Sequence, residues 1–225
     1  MKNASAIPWG SVRAWFFDLD GTLMDTDDQA VESLARRLRI FGPARSARIA
    51  RRLVMMGETP MNDMITMLDI VGLDALLFKV QRRLQKEPQP TFRIIDGVRP
   101  MLEVLAAHAP LAVVSTRLHE AARAFLEQHA LTDLFQMVVT QETTHRLKPH
   151  PEPILYAAAQ LKVPPEACVM VGDTPMDVVS ARRAGAWAVG VLCGFGEEHE
   201  LRRSGAHLIL PSTADLASIV QENLV

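Results

Sequence analysis

From residue 92 onward, short apolar runs alternate with segments whose apolar residues recur at helical spacing, a pattern that predicts strand and helix in turn. Buried strands are expected over 111–114, 137–139, 168–171 and 187–192, with a short one over 207–210. Helices are expected over 98–108, 119–129, 153–161, 176–184 and 214–224. One further apolar run, 15–17, stands apart near the start. Between it and the alternating region the texture differs. Val31, Leu34, Leu38 and Phe41 form a helical stripe broken by Gly42-Pro43, and Leu76, Leu77, Val80 and Leu84 form another that ends at Pro88. This stretch predicts helices and no strand. The fold class expected is α/β: a doubly wound parallel sheet, Rossmann-like, built from 1–24 and 92–225, with an α-helical cap inserted at 25–91.

The run Trp15-Phe16-Phe17 leads straight into Asp18-Leu19-Asp20-Gly21-Thr22. A buried strand here would deliver two acids to solvent at its carboxyl end, and Gly21 permits a tight turn out of the sheet. Alternation along extended backbone sets Asp18 and Asp20 on one face with Leu19 turned away. Two carboxylates held that close repel, and a hard divalent cation such as Mg2+, which prefers oxygen ligands, offsets the repulsion. One carboxylate would then be placed to attack phosphorus while its neighbour handles protons. The other strands also end in polar residues: Ser115 and Thr116, Lys148, then Asp173 and Asp177. Ligands of parallel sheets bind at the carboxyl ends of strands, so these distant residues are expected to converge.

Charge narrows the class of partner. With 24 basic and 26 acidic residues interspersed and a net charge of −2, no footprint for nucleic acid or an anionic membrane exists, which leaves a small molecule as the expected partner. Cys168 and Cys193 are the only cysteines and read as packed thiols, not as a disulfide framework. No leader pattern and no bilayer-length apolar run is present, so a cytoplasmic location is expected. Oligomeric state is not legible from the residues.

Taken in order, Asp18-Leu19-Asp20-Gly21-Thr22, Ser115, Lys148-Pro149 and Gly172-Asp173-Thr174-Pro175-Met176-Asp177 resemble the haloacid dehalogenase superfamily of phosphohydrolases. Lys148 to Pro153, Gly172 to Asp177 and Ala184-Gly185-Ala186 look most like its phosphoglycolate phosphatases and their pyrophosphatase relatives. The resemblance implies a magnesium-dependent phosphatase acting on a small phosphate monoester through an aspartyl-phosphate. By it, Asp18 is the nucleophile and Asp20 the general acid and base, oriented by Thr22. Ser115 and Lys148 bind the phosphoryl group. Asp18, the Asp20 carbonyl and Asp173 hold magnesium, and Asp177 supports that site. The presence of Asp20 sets the chain apart from the superfamily's dehalogenases and phosphonate-cleaving members. Thr116, also expected at the phosphate, stands where many relatives carry Asn, which would move the contact from side chain to backbone, so its side-chain role stays open. Pyrophosphatase, sugar-phosphate phosphatase and phosphoglucomutase-like activities are the alternatives, with a non-catalytic phosphate-binding protein as the rival class.

Other residues have plainer readings. His150 reads as a loop residue, Gly194-Phe195-Gly196 as a flexible loop rimming the site, and Met55, Met56, Met61, Met64 and Met67 as interior packing. Arg51, Arg52 and Arg117 default to solvated positions. If the substrate is acidic, Arg51 and Arg52 are the insert's candidates for contacting it. The cap would act as a lid that excludes water and selects the leaving group.

Overall fold

The computed structural model describes residues 7–25 and 92–224. Apart from Asp25, the cap expected over 25–91 lies outside the described residues, and with it Arg51, Arg52 and the methionines. After a 3-10 turn at Trp9–Ser11, the elements run β1 Ala14–Phe17, α1 Val98–Ala106, β2 Leu111–Val114, α2 His119–Gln128 and β3 Phe135–Val139. They continue with α3 Glu152–Leu161, β4 Cys168–Gly172, α4 Pro175–Ala184, β5 Trp187–Val191, α5 Glu198–Ser204, β6 Leu208–Leu210 and α6 Leu216–Leu224.

The six strands form one parallel sheet in the order β3-β2-β1-β4-β5-β6, the expected doubly wound arrangement. The direction of winding reverses at β1, and such a switch point is where parallel sheets open a crevice for ligands. Register brings the strand ends level there: Phe17 pairs with Val113 on one side and Val171 on the other.

Alternation along the strands explains the layers. Trp15 and Phe17 of β1, Leu111 and Val113 of β2, and Val169 and Val171 of β4 face one core, which they share with α1, α2 and α6 through Leu102, Phe125 and Leu216. Ala14, Phe16, Ala112, Val114, Cys168 and Met170 face the other, against Ile154, Ala158 and Val178 of α3 and α4. Both faces are covered, so these strands read as unbroken apolar runs instead of alternating ones.

Beyond shifts of one or two residues at element ends, a helix not expected and a late helix start differ from expectation. α5 buries Leu201 and is otherwise made of polar and charged residues, so it carries no apolar stripe from which to predict a helix. The terminal helix starts later than residue 214, because Ser212 and Asp215 form a capping box over a 3-10 turn before Leu216. Among the described residues, no helix is long and apolar enough to cross a membrane. Cys168 and Cys193 are both free thiols.

Candidate active site

Asp18 is the first residue past β1, its N–H donating to Val171 O at 3.0 Å, so the backbone carries the sheet ladder right up to the acid. Its side chain is 10% exposed and meets Lys148, whose Nζ lies 2.8 Å from Asp18 Oδ1. Lys148 stands in the loop before α3, next to a cis peptide at Pro149. Its ammonium also donates to Val114 O at 2.9 Å and Asp177 Oδ1 at 2.6 Å. All three N–H donors are thereby satisfied. Burial alone would lower the Lys148 pKa, but Asp177 and Asp18 outweigh it and hold the lysine above its ordinary value. The structure thus places Lys148 as a fixed cation between two acids.

Asp20 is half-buried and faces a different partner. Arg117 grips it with a two-pronged fork, Nε to Oδ2 and Nη2 to Oδ1, both at 2.6 Å. The guanidinium carbon lies 5.9 Å from the centre of the Phe92 ring. The N–H of Arg117 donates to Ser115 Oγ at 3.2 Å, which ties the buried Ser115 hydroxyl into the same turn. Thr116 is half-buried between them. The default reading of Arg117 as a solvated side chain is therefore corrected. Nothing in sequence spacing shows that a residue 97 positions after Asp20 will meet it.

Thr22 requires a correction as well. It is fully buried and donates to Asp173 Oδ1 at 3.3 Å, and not to Asp20, whose carboxylate points to Arg117. The Thr22 carbonyl accepts from Thr213 Oγ1 at 2.7 Å, which anchors the turn from below.

Asp173 follows β4 and is fully buried. Its Oδ2 accepts from Phe195 N–H at 2.9 Å, so the 194–196 loop is attached to the site instead of merely rimming it. Glycine is required here by contact: a Cβ on Gly194 would stand 2.2 Å from Asp173 Oδ2, and one on Gly21 2.3 Å from the same atom. Asp177 opens α4 in a capping box, its Oδ2 accepting from Thr174 N–H and Oγ1 while Oδ1 takes Lys148. His150 is half-buried in its loop, its Nδ1 accepting from Glu152 N–H and its carbonyl from Ser180.

Asp18, Asp173 and Asp177 bring carboxylate oxygens within 4.8 Å of one another. Lys148 neutralises only part of that charge. Burial raises the Asp18 carboxyl to about 7 against the pull of Lys148, and Asp177 and Asp20 add to the rise. Both Asp177 oxygens are bonded to protein groups, and both Asp173 oxygens likewise accept, from Thr22 and Phe195. A hard oxygen donor set with surplus negative charge suits Mg2+.

A level row of parallel strand ends carrying a lysine-paired aspartate, a second acid two residues on and further acids beyond β4 defines an α/β enzyme with a carboxylate-centred site. Comparison gives the family. The haloacid dehalogenase-like hydrolase model matches residues 15–191. The pyrophosphatase PpaX of Anoxybacillus flavithermus is 27% identical over 211 residues, covering 93% of this chain and 97% of its own. A phosphoglycolate phosphatase of Xanthomonas campestris is 30% identical over 186 residues, covering 81% and 84%. A HAD family hydrolase from Deinococcus radiodurans, solved with bound phosphate and sodium, shares the fold at a TM-score of 0.67 and 24% identity, covering 96% and 98%. The chain belongs to the haloacid dehalogenase-like hydrolases.

Proposed function

We propose that this chain hydrolyses a small phosphate monoester of the phosphoglycolate kind through an aspartyl-phosphate on Asp18, with magnesium bound at Asp18, the Asp20 carbonyl and Asp173. The chain is a phosphoric monoester hydrolase of its family. The observation that carries the mechanism is the division of labour between two acids: Asp18 is fixed by Lys148 at the strand end, while Asp20 is held separately by Arg117.

An Asp18 oxygen forms a bond to phosphorus as the bond from phosphorus to the leaving oxygen breaks, and Asp20 gives that oxygen a proton. Water then attacks the phosphorus, its proton passes to Asp20, and the bond to Asp18 breaks to release phosphate. Lys148, a fixed positive charge beside Asp18, and Ser115 stabilise the phosphoryl oxygens, whose spread charge is what catalysis of this transfer must meet. Magnesium, when bound, neutralises charge on the transferring group. The helical cap proposed for 25–91 would supply the lid and part of the leaving-group contact. A cytoplasmic location is part of this reading, supported by the two free thiols.

A second reading, hydrolysis of inorganic pyrophosphate, is supported by the likeness to PpaX enzymes. A panel of phosphate esters and pyrophosphate with magnesium separates the two. Asp18→Asn is expected to be inactive on all of them, and Asp20→Asn to accumulate a phosphorylated form by intact mass when given an aryl phosphate. Label at a residue other than Asp18, or no turnover of any phosphate compound, would refute the assignment.

A further inference from the structure

We propose that Arg117 selects substrates whose leaving group carries a second anionic charge close to the leaving oxygen. The inference rests on the phosphatase reading above and concerns what that site accepts.

The geometry follows from the acid. Asp20 must touch the leaving oxygen, and both Asp20 oxygens accept from Arg117 at 2.6 Å. A leaving oxygen in hydrogen-bond contact with Asp20 therefore lies within about 5 Å of the guanidinium, the sum of two short hydrogen bonds. Whatever that oxygen carries on its next one to three atoms falls within reach of the same cation. In the phosphatase reading the phosphoryl group sits on the Asp18 side, where Lys148 lies 2.8 Å from Asp18, which leaves Arg117 to the leaving group.

Arg117 is built for that position. Its main chain is fixed by Ser115 Oγ, its guanidinium is forked onto Asp20, and Phe92 lies against it. Phe92 is fixed in turn: Gln128 accepts from its N–H at 3.1 Å and donates to its carbonyl at 2.6 Å. The Arg117 side chain is 22% exposed, neither sealed in the core nor free in solvent. Asp20 occupies Nε and Nη2, while among the described residues no bond is made by Nη1. A neutral leaving group offers that nitrogen little. A carboxylate or a second phosphate gives it a charge-assisted hydrogen bond, for which a guanidinium is suited by its planar spread of donors. Such a bond brings roughly 10- to 100-fold in affinity.

The test compares kcat/KM for 2-phosphoglycolate with that for its uncharged amide, and adds pyrophosphate, in the parent, Arg117→Met and Arg117→Lys. The parent is expected to favour phosphoglycolate over the amide by about tenfold or more, chiefly through KM. In Arg117→Met the ratio should fall to near one whatever the common loss from disturbing Asp20, and Arg117→Lys should restore part of it. Preference for pyrophosphate with none for phosphoglycolate over its amide assigns the contact to phosphate, and the reverse to carboxylate; either supports the proposal. A parent without preference for either anion overturns it, as does a folded Arg117→Met that loses equally on charged and neutral substrates. If Arg117→Met does not fold, the parent ratio and Arg117→Lys decide. Failure of the phosphatase reading is separate: the parent would then turn over none of these compounds, nor p-nitrophenyl phosphate.

Discussion

Lys148 holds its ammonium 2.8 Å from Asp18 Oδ1, with side chains 3% and 10% exposed. A buried charge so placed is more consequential when lost than when kept, because removing one partner leaves the other uncompensated. Lys148→Met should therefore lower turnover by at least about 100-fold, the order of one lost electrostatic stabiliser. It should also destabilise the fold by roughly 3–5 kcal/mol, since Asp18 and Asp177 would share the cavity without a cation. Denaturant unfolding and kcat measured on the same preparation check this. A variant as stable as the parent would show that Asp18 takes up a proton when the lysine is gone.

Metal removal gives a second expectation. Chelation should abolish turnover and magnesium should restore it. Independently of activity, magnesium should raise the parent's melting temperature by linkage, by about 2.7 kcal/mol in stability at a hundredfold excess over Kd. Asp173→Asn should remove most of that rise. Equal magnesium shifts in both proteins would move the site away from Asp173.

Gly194 tests how tightly the acid is enclosed. A Cβ there would stand 2.2 Å from Asp173 Oδ2 and 2.6 Å from Gly21 O, so Gly194→Ala must displace the carboxylate or the turn. A loss of about 1–3 kcal/mol, the range for overpacking, and at least tenfold in activity are expected. Gly10→Ala, with nothing within 4 Å, is the control and should change neither.

His207 sets a pH dependence away from the site. Its Nδ1 accepts from Ala188 N–H at 3.0 Å, Arg182 approaches Nε2, and the ring packs on Trp187. Burial lowers its pKa, and Arg182 lowers it further. The unfolded chain therefore binds a proton more readily than the folded one. The stabilisation is present above the ordinary histidine value near 6.5 and is lost as pH falls through the lower folded value. Melting temperatures from pH 8 to 5 should fall less steeply in His207→Asn, which keeps an acceptor without the titration.

Much of this fold is legible because the strands are buried on both faces. β2 lies over Leu111–Val114, the span its apolar run predicts, and β4 extends one residue further to Gly172, where the run has ended but the ladder has not. α5 is not legible, since a helix that buries one leucine has no period to detect. The site divides in the same way. Acids at strand ends can be read from the chain because strand ends can be. Partner choice cannot: Thr22 bonds Asp173, 151 positions away, while Arg117, in the loop after β2, takes Asp20 from 97 positions away. Likewise the 194–196 loop reads only as a flexible rim of the site until Phe195 N–H is found on Asp173.

That last contact also sets an order of events during synthesis. Asp18 leaves the ribosome before Lys148, and the amide that holds Asp173 belongs to Phe195, which follows both. A nascent chain stalled before the 194–196 loop has emerged would carry every acid of the site with Asp173 lacking that anchor. Catalysis should thus come on only once that loop has docked, making hydrolysis a readout of the 194–196 loop reaching Asp173.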